Sequence, residues 1–384
     1  MTDLENILPL WHSLEAAGAD YVLATVVDVE GPSYRKPGAR MLIAADGRHA
    51  GTVSGGCLEV EVAKRAWWLT ERGPAVERYS TAEDDDEMPY GSGCGGVVYV
   101  LLERRSTAAP LLTALETAFH ARTPLAIATV LEGDGIATRR FAGTSVQDSP
   151  SNAITARSLE ATLDNLAAQA LDRLQSIDQR VVIGECDTRV WVDYRTARPG
   201  LWIFGAGDDA KPLLRMAREL GWFVAVADGR SHLATRERFP AADKVLTLSS
   251  SSVLEDGPSF LEDFKPTDAA ILLTHSFEQD SRIIAGLLMR ESSPVYLGVL
   301  GPQRRTREVL AEAAKLLAMP DPTERAEEWL AQMHAPTGLD LGAETPAAIA
   351  LSIIAEIQQT LNNGSALPLR QVRAVGSTIS PVQS

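Results

Sequence analysis

The chain is short of cysteine. Its three, Cys57, Cys94 and Cys186, are widely spaced and odd in number, which excludes a disulfide framework and makes the cytoplasm the expected compartment. No two stand in C-x-x-C spacing, so a structural zinc site is not expected. Positive charge is short as well: 36 Lys and Arg face 51 Asp and Glu, a formal net charge of −15. That balance excludes nucleic acid or an anionic membrane surface as the main partner. It leaves room for a small anion, because local backbone dipoles can bind one. No apolar run approaches the roughly 18–20 residues of a membrane span. The N-terminus, MTDLENILPLW, is acidic and helix-patterned, and a secretory signal is not expected there.

What is present is an alternation of helix and strand patterns. Leu4, Ile7, Leu8, Trp11 and Leu14 follow helical spacing up to Gly18, Tyr21 to Val29 reads as a strand, and GPSYRKPGARM as a loop entering a second one. Leu58, Val62, Ala66 and Leu69 repeat at helical spacing and set Cys57 at a helix start. Residues 1–105 form a first module, and 106–198 a bridging α/β region with less chemistry in it. The ARPG turn then opens residues 199–363, where strands alternate with helices: LWIF, Trp222 to Ala227, Ala269 to Leu273 and Val295 to Leu300. That alternation predicts a parallel, doubly wound sheet. Residues 364–384 read as a poorly ordered tail.

Two cysteines sit in glycine. Ser54-Gly55-Gly56-Cys57 precedes Glu59, and Cys94 lies between Gly93 and the pair Gly95-Gly96. A thiol at a helix N-terminus has its thiolate favoured by the dipole, and Ser54, Gly55 and Gly56 can turn their amides toward an anion as a nest. Glu59 would oppose the thiolate if it pointed inward. The plainer reading is that both cysteines are small apolar residues where only small residues fit. Cys186 reads as structural. Tyr34, Arg35 and Lys36 offer donors and cationic charge, and Arg35 would balance an anionic ligand if its loop adjoins Cys57.

Gly205-Ala-Gly207-Asp-Asp-Ala210 fits the G-x-G-x-x-G/A phosphate turn directly after a strand. Asp228 ends the next strand at the interval of a ribose-binding acid, and Arg230 is placed to meet a 2′-phosphate. Against this, Asp208 and Asp209 would repel a pyrophosphate, and such a turn also serves packing alone. Thr274-His275 ends another strand at the ligand-binding edge of such sheets, where His275 suits either an acid/base or a simple capping role. Arg304 and Arg305, near a helix start, suit a phosphate clamp or a solvated face.

GPSYRKPGARMLIAADGRHAGTVSGGCLE and GSGCGGVVYVLLE resemble two blocks of the xanthine dehydrogenase accessory (XdhC/CoxI) family. IFGAGDDAKPLLRMARELGWFVAVADGR, AAILLTHSFEQD, YLGVLGPQRR and GLDLGAETPAAIALSIIAEI resemble its later blocks, in order along nearly the whole chain. Asp208 and Asp209 depart from the His and small residue that many relatives carry. The resemblance implies an N-terminal XdhC/CoxI-type α/β module, a bridging α/β region and a C-terminal Rossmann-like sheet. It further implies a protein that binds molybdenum cofactor, assists its sulfuration and delivers it to a molybdenum hydroxylase such as xanthine dehydrogenase, with a cysteine desulfurase as second partner and a homodimer in prospect. Cys57, then Cys94, would meet the molybdenum, a soft centre that favours thiolate. The pterin phosphate would suit the glycine nest or the Gly205–Ala210 turn. The alternative is an NAD(P)-dependent oxidoreductase, or a nucleotide-sensing module, built on that turn with His275 as acid/base.

Overall fold

The structure is a computed structural model that describes residues 2–80, 95–133, 135–146, 154–183, 186–248, 262–290 and 293–372. The chain divides at Arg198/Pro199 into two compact units.

The first unit runs α1 (Thr2–Ala16), β1 (Tyr21–Glu30), β2 (Arg40–Ala44), β3 (His49–Gly51), α2 (Glu59–Leu69), β4 (Ala75–Ser80), β5 (Val97–Arg104), α3 (Arg105–Ala121), β6 (Leu125–Val130), β7 (Arg139–Ala142), α4 (Ile154–Arg173), β8 (Ile177–Ile183) and β9 (Cys186–Arg195). One antiparallel sheet has the order β3-β2-β1-β5-β4, a second β7-β6-β9-β8. The period of two along β1 explains how the first sheet is covered. Tyr21 and Leu23 pack with Leu4, Ile7, Leu111 and Leu115 of α1 and α3. Val22, Ala24 and Val26 face the other way, onto Leu58, Val62 and Ala66 of the α2 segment. With both faces covered, β1 reads as a continuous apolar run rather than an alternating one. Helix α4 lays Leu163, Leu166 and Ala170 on the second sheet.

The second unit runs β10 (Gly200–Phe204), α5 (Ala210–Glu219), β11 (Phe223–Asp228), β12 (Lys244–Thr247), β13 (Ala269–Leu272), α6 (Phe277–Leu288), β14 (Tyr296–Val299), α7 (Gln303–Leu316), α8 (Pro322–Leu330), α9 (Pro346–Leu361) and α10 (Leu369–Val372). Its sheet is parallel throughout, in the order β12-β11-β10-β13-β14. Leu201 and Ile203 of β10 face α5 and α9, while Trp202 and Phe204 face α6 and α7. This is the doubly wound sheet expected from the strand–helix alternation. Order reverses between β10 and β13, and ligands of such sheets collect at the carboxyl ends beside that point.

Some details differ from the sequence reading. Helix α2 begins at Glu59, so Cys57 precedes it by two residues. Cys186 is the first residue of β9 rather than part of a link between strands. Of the segment after Asn363, residues 369–372 form a short helix, and 373–384 lie outside the described residues.

A cysteine loop and a glycine turn

The stretch between β3 and α2 is held by its own side chains. Ser54 Oγ accepts hydrogen bonds from the backbone N–H groups of Gly56 (3.2 Å), Cys57 (3.1 Å) and Leu58 (3.0 Å). The same hydroxyl donates to Glu59 Oε2 at 2.6 Å, and Glu59 Oε1 accepts from the amides of Ser54 (2.8 Å) and Val53 (3.2 Å). Ser54 and Glu59 are buried, whereas Gly55, Gly56 and Cys57 are exposed. This corrects the expected nest: the Ser54 and Gly56 amides turn inward onto side chains of the loop. Glu59 likewise braces the turn. What the loop offers outward is the Cys57 thiol. Gly56 needs to be glycine for its φ of +106°.

Glu59 makes this loop pH-sensitive. Burial works against its charge, but the Ser54 hydroxyl and the amides of Ser54, Glu59 and Val53 outweigh it and hold the carboxyl below its usual value. A depressed acid contributes its full stability above the unfolded pKa, about 4.3 for Glu. That contribution is lost as pH falls through the folded value. Exchange at the Gly56, Cys57 and Leu58 amides is therefore expected to accelerate, relative to that of β1 amides, below about pH 4. Equal protection at both pH values, after correction for intrinsic rates, would show that the carboxylate does not hold the loop.

The loop of residues 31–38 lies between the two glycine-rich stretches. A methyl group on Gly55 would meet the Tyr34 ring at 3.3 Å, so the ring rests on that glycine. At the other end a methyl on Gly96 would fall 2.1 Å from the Pro32 carbonyl oxygen, and one on Gly31 would lie 3.6 Å from Gly96 Cα and 3.7 Å from the Gly95 carbonyl oxygen. Gly55, Gly95 and Gly96 thus border one loop. Gly93 and Cys94 lie outside the described residues. Arg35 is paired with Asp3 of α1, so its charge is already balanced. Tyr34 stays 77% exposed beside Gly55.

In the second unit, the predicted residues gather at the carboxyl edge of the sheet. Gly205, at φ +125°, lets β10 pass β13 closely: a Cβ there would lie 2.9 Å from the Leu273 carbonyl carbon. Asp228 is fully buried. It accepts from Ala206 N–H (2.7 Å) and from the Arg230 N–H, Nε and Nη2 groups (2.9, 3.1 and 2.8 Å). Burial opposes its charge, but these donors win and keep the carboxyl low. The two residues expected to read a ribose or its phosphate are therefore bonded to each other. Asp208 is offset by Lys211 at 2.8 Å and Arg238 at 3.1 Å, which removes much of the expected repulsion. Beyond Gly207, whose absent side chain would meet nothing within 4 Å, α5 begins at Ala210.

Thr274 donates to the buried Asp280, which also accepts from Arg305 at 2.6 Å. Burial pushes the Asp280 carboxyl up despite both bonds. Arg305 is thereby committed within the fold, while His275 and Arg304 are exposed. The sequence reading missed Asp280, whose signal was an acid one turn inside an amphipathic helix that follows a strand end. Among the described residues no three His, Cys, Asp or Glu side chains converge as a metal site, and no helix is long and apolar enough to cross a membrane.

Fold and sites define a two-unit α/β protein: an outward cysteine loop in one unit, a Rossmann-type glycine turn in the other. Two family models match, the XdhC and CoxI family over residues 14–80 and the XdhC Rossmann domain over 201–357. The chain is 30% identical over 344 residues to a Bacillus subtilis protein described as a probable xanthine dehydrogenase subunit, covering 88% of this chain and 92% of that one. Over 108 residues, 26% of this chain and 31% of the other, it is 34% identical to the molybdenum cofactor insertion chaperone PaoD of Escherichia coli. A crystal structure described as a xanthine dehydrogenase, from Bacillus halodurans, matches with a TM-score of 0.68 and 26% identity, over 97% of this chain and all of that one. The chain belongs to the XdhC/CoxI family.

Proposed function

We propose that this protein is a maturation factor for molybdenum hydroxylases of the xanthine dehydrogenase type. In this reading it binds molybdenum cofactor, holds it while a cysteine desulfurase supplies sulfur, and passes it to the apoenzyme in the cytoplasm. The observation that carries the reading is the exposed Cys57 thiol on a loop braced by Ser54 and Glu59. The likeness to PaoD, by name a cofactor insertion chaperone, supports it.

The residues present suit the cofactor's chemistry. Its molybdenum is soft, and an accessible cysteine sulfur is the matching donor; Cys57 is assigned that contact and Cys94 the second place. The Gly56, Cys57 and Leu58 amides are already bonded to Ser54 Oγ and are not assigned to the cofactor's phosphate; the α5 end of the Gly205–Ala210 turn is proposed as a separate anion site. A helix N-terminus favours an anion, and Asp208 there is already balanced by two cations. Burial of Asp228 and its pairing with Arg230 count against the dinucleotide-dependent oxidoreductase.

The test is co-expression with cofactor synthesis, followed by assay of molybdenum and pterin in purified wild type, Cys57→Ala and Cys94→Ala. Wild type is expected to carry both, and Cys57→Ala to fall to background. Equal, negligible pterin in all three, with cofactor supply verified, would overturn the reading.

A further inference from the structure

The first unit holds a pocket apart from the Cys57 thiol, between helices α1 and α3 and the ends of β2 and β9. It offers about 490 Å³ of empty space, its open mouth included. One wall is apolar: Leu4 and Ile7 from α1, Leu115 and Phe119 from α3. Two guanidinium groups, those of Arg40 and Arg195, line it as well.

These two arginines share one carboxylate. Asp193 Oδ2 accepts from Arg40 Nη2 at 2.8 Å and from Arg195 Nε at 2.9 Å. Both arginines also donate to the Gly38 carbonyl oxygen. The Arg40 and Asp193 side chains are only 6% and 4% exposed. Two positive charges therefore meet one negative charge in a place with little water. The third charged residue lining the pocket, Asp3, is neutralised by Arg35. Arg40 Nε is buried with no hydrogen-bond partner among the described residues, and burial lowers the Arg40 guanidinium to about 10 against the pull of Asp193. A buried donor without an acceptor is costly, and an anion entering from the apolar side would supply the missing negative charge.

We infer that this pocket binds a small organic carboxylate, its head on Arg40 and Arg195 and its short apolar tail against α1 and α3. A carboxylate is planar and matches the guanidinium fork better than a spherical ion does, and the apolar wall selects for carbon behind the head. Nothing in this site depends on the cofactor reading.

Calorimetry on the full chain tests it, with hexanoate, hexylammonium and inorganic phosphate as the probes. Hexanoate is expected to bind saturably, hexylammonium not at all, and phosphate more weakly by about tenfold or more. Arg195→Gln, which leaves the Arg40–Asp193 pair in place, and Ala118→Leu, which fills the apolar side, are each expected to weaken hexanoate about tenfold or more. Ala118 is buried, so if that variant fails to fold, the Arg195 variant decides alone. No saturable hexanoate binding, equal binding of hexylammonium or phosphate, or wild-type affinity in a folded variant would each overturn the assignment.

Discussion

Glu103→Ala is expected to destabilise the first unit by about 3–5 kcal/mol, the cost of leaving a buried charge without its partner. Glu103 is the penultimate residue of β5 and Arg139 opens β7, so the pair joins the two antiparallel sheets. Their side chains are 0% and 1% exposed, and Arg139 Nη2 donates to Glu103 Oε1 at 2.6 Å. Arg139 Nη1 also donates to the Thr107 carbonyl at 2.7 Å, which pins the guanidinium where it is. It has no route to water once the carboxylate is gone. The pair is not itself an efficient source of stability, since Glu103 Oε2 and Arg139 Nε are both buried without partners among the described residues. The double variant Glu103→Leu, Arg139→Met is therefore expected to recover most of the loss. Denaturant unfolding of the three proteins measures both effects. A single variant within about 1 kcal/mol of wild type, or a double variant no better than the single, would show that the pair is hydrated or mispaired in solution.

The second large effect is expected from Gly96→Ala. The added methyl would lie 2.1 Å from the Pro32 carbonyl oxygen, 3.0 Å from its carbon and 3.1 Å from the Glu30 carbonyl oxygen. All three are backbone atoms at the start of the loop of residues 31–38, so a rotamer change gives no relief. Overpacking of this kind costs about 1–3 kcal/mol. The larger consequence is at Cys57, because moving Pro32 displaces Tyr34 from Gly55. Alkylation of Cys57, followed site by site by mass spectrometry, is expected to quicken severalfold, and cofactor loading to fall. Gly364→Ala, where the methyl meets nothing closer than 3.8 Å, is the neutral comparison. Wild-type stability and wild-type Cys57 alkylation in Gly96→Ala would mean that the two stretches move independently.

Much of the fold was legible because its central strands are buried on both faces. The residues 201–204 and 223–227 of β10 and β11 are continuous apolar runs with glycine turns between strand and helix. Three- and four-residue strands such as β3, β7 and β12 carry too few residues for a period to show. Antiparallel partners are set by contacts far apart in the chain: β1 pairs with β5, some seventy residues on. At the site, the glycines marked the Cys57 loop correctly as a place of special backbone, yet the direction of its amides was not readable. That direction depends on where the Ser54 hydroxyl points, and the hydroxyl follows Glu59. The Asp193 network was invisible because Arg40 and Asp193 stand 153 residues apart. Its only trace is charge set among apolar neighbours, in RMLIA and in WVDYR.

The Ser54 hydroxyl occupies the position an anion would take among three backbone amides. The loop therefore carries its own occupant at that position. On the proposed reading, loading and release at Cys57 would then require no refolding of the turn. On the same reading, a receiving protein would gain the cargo by exchanging the one bond at sulfur.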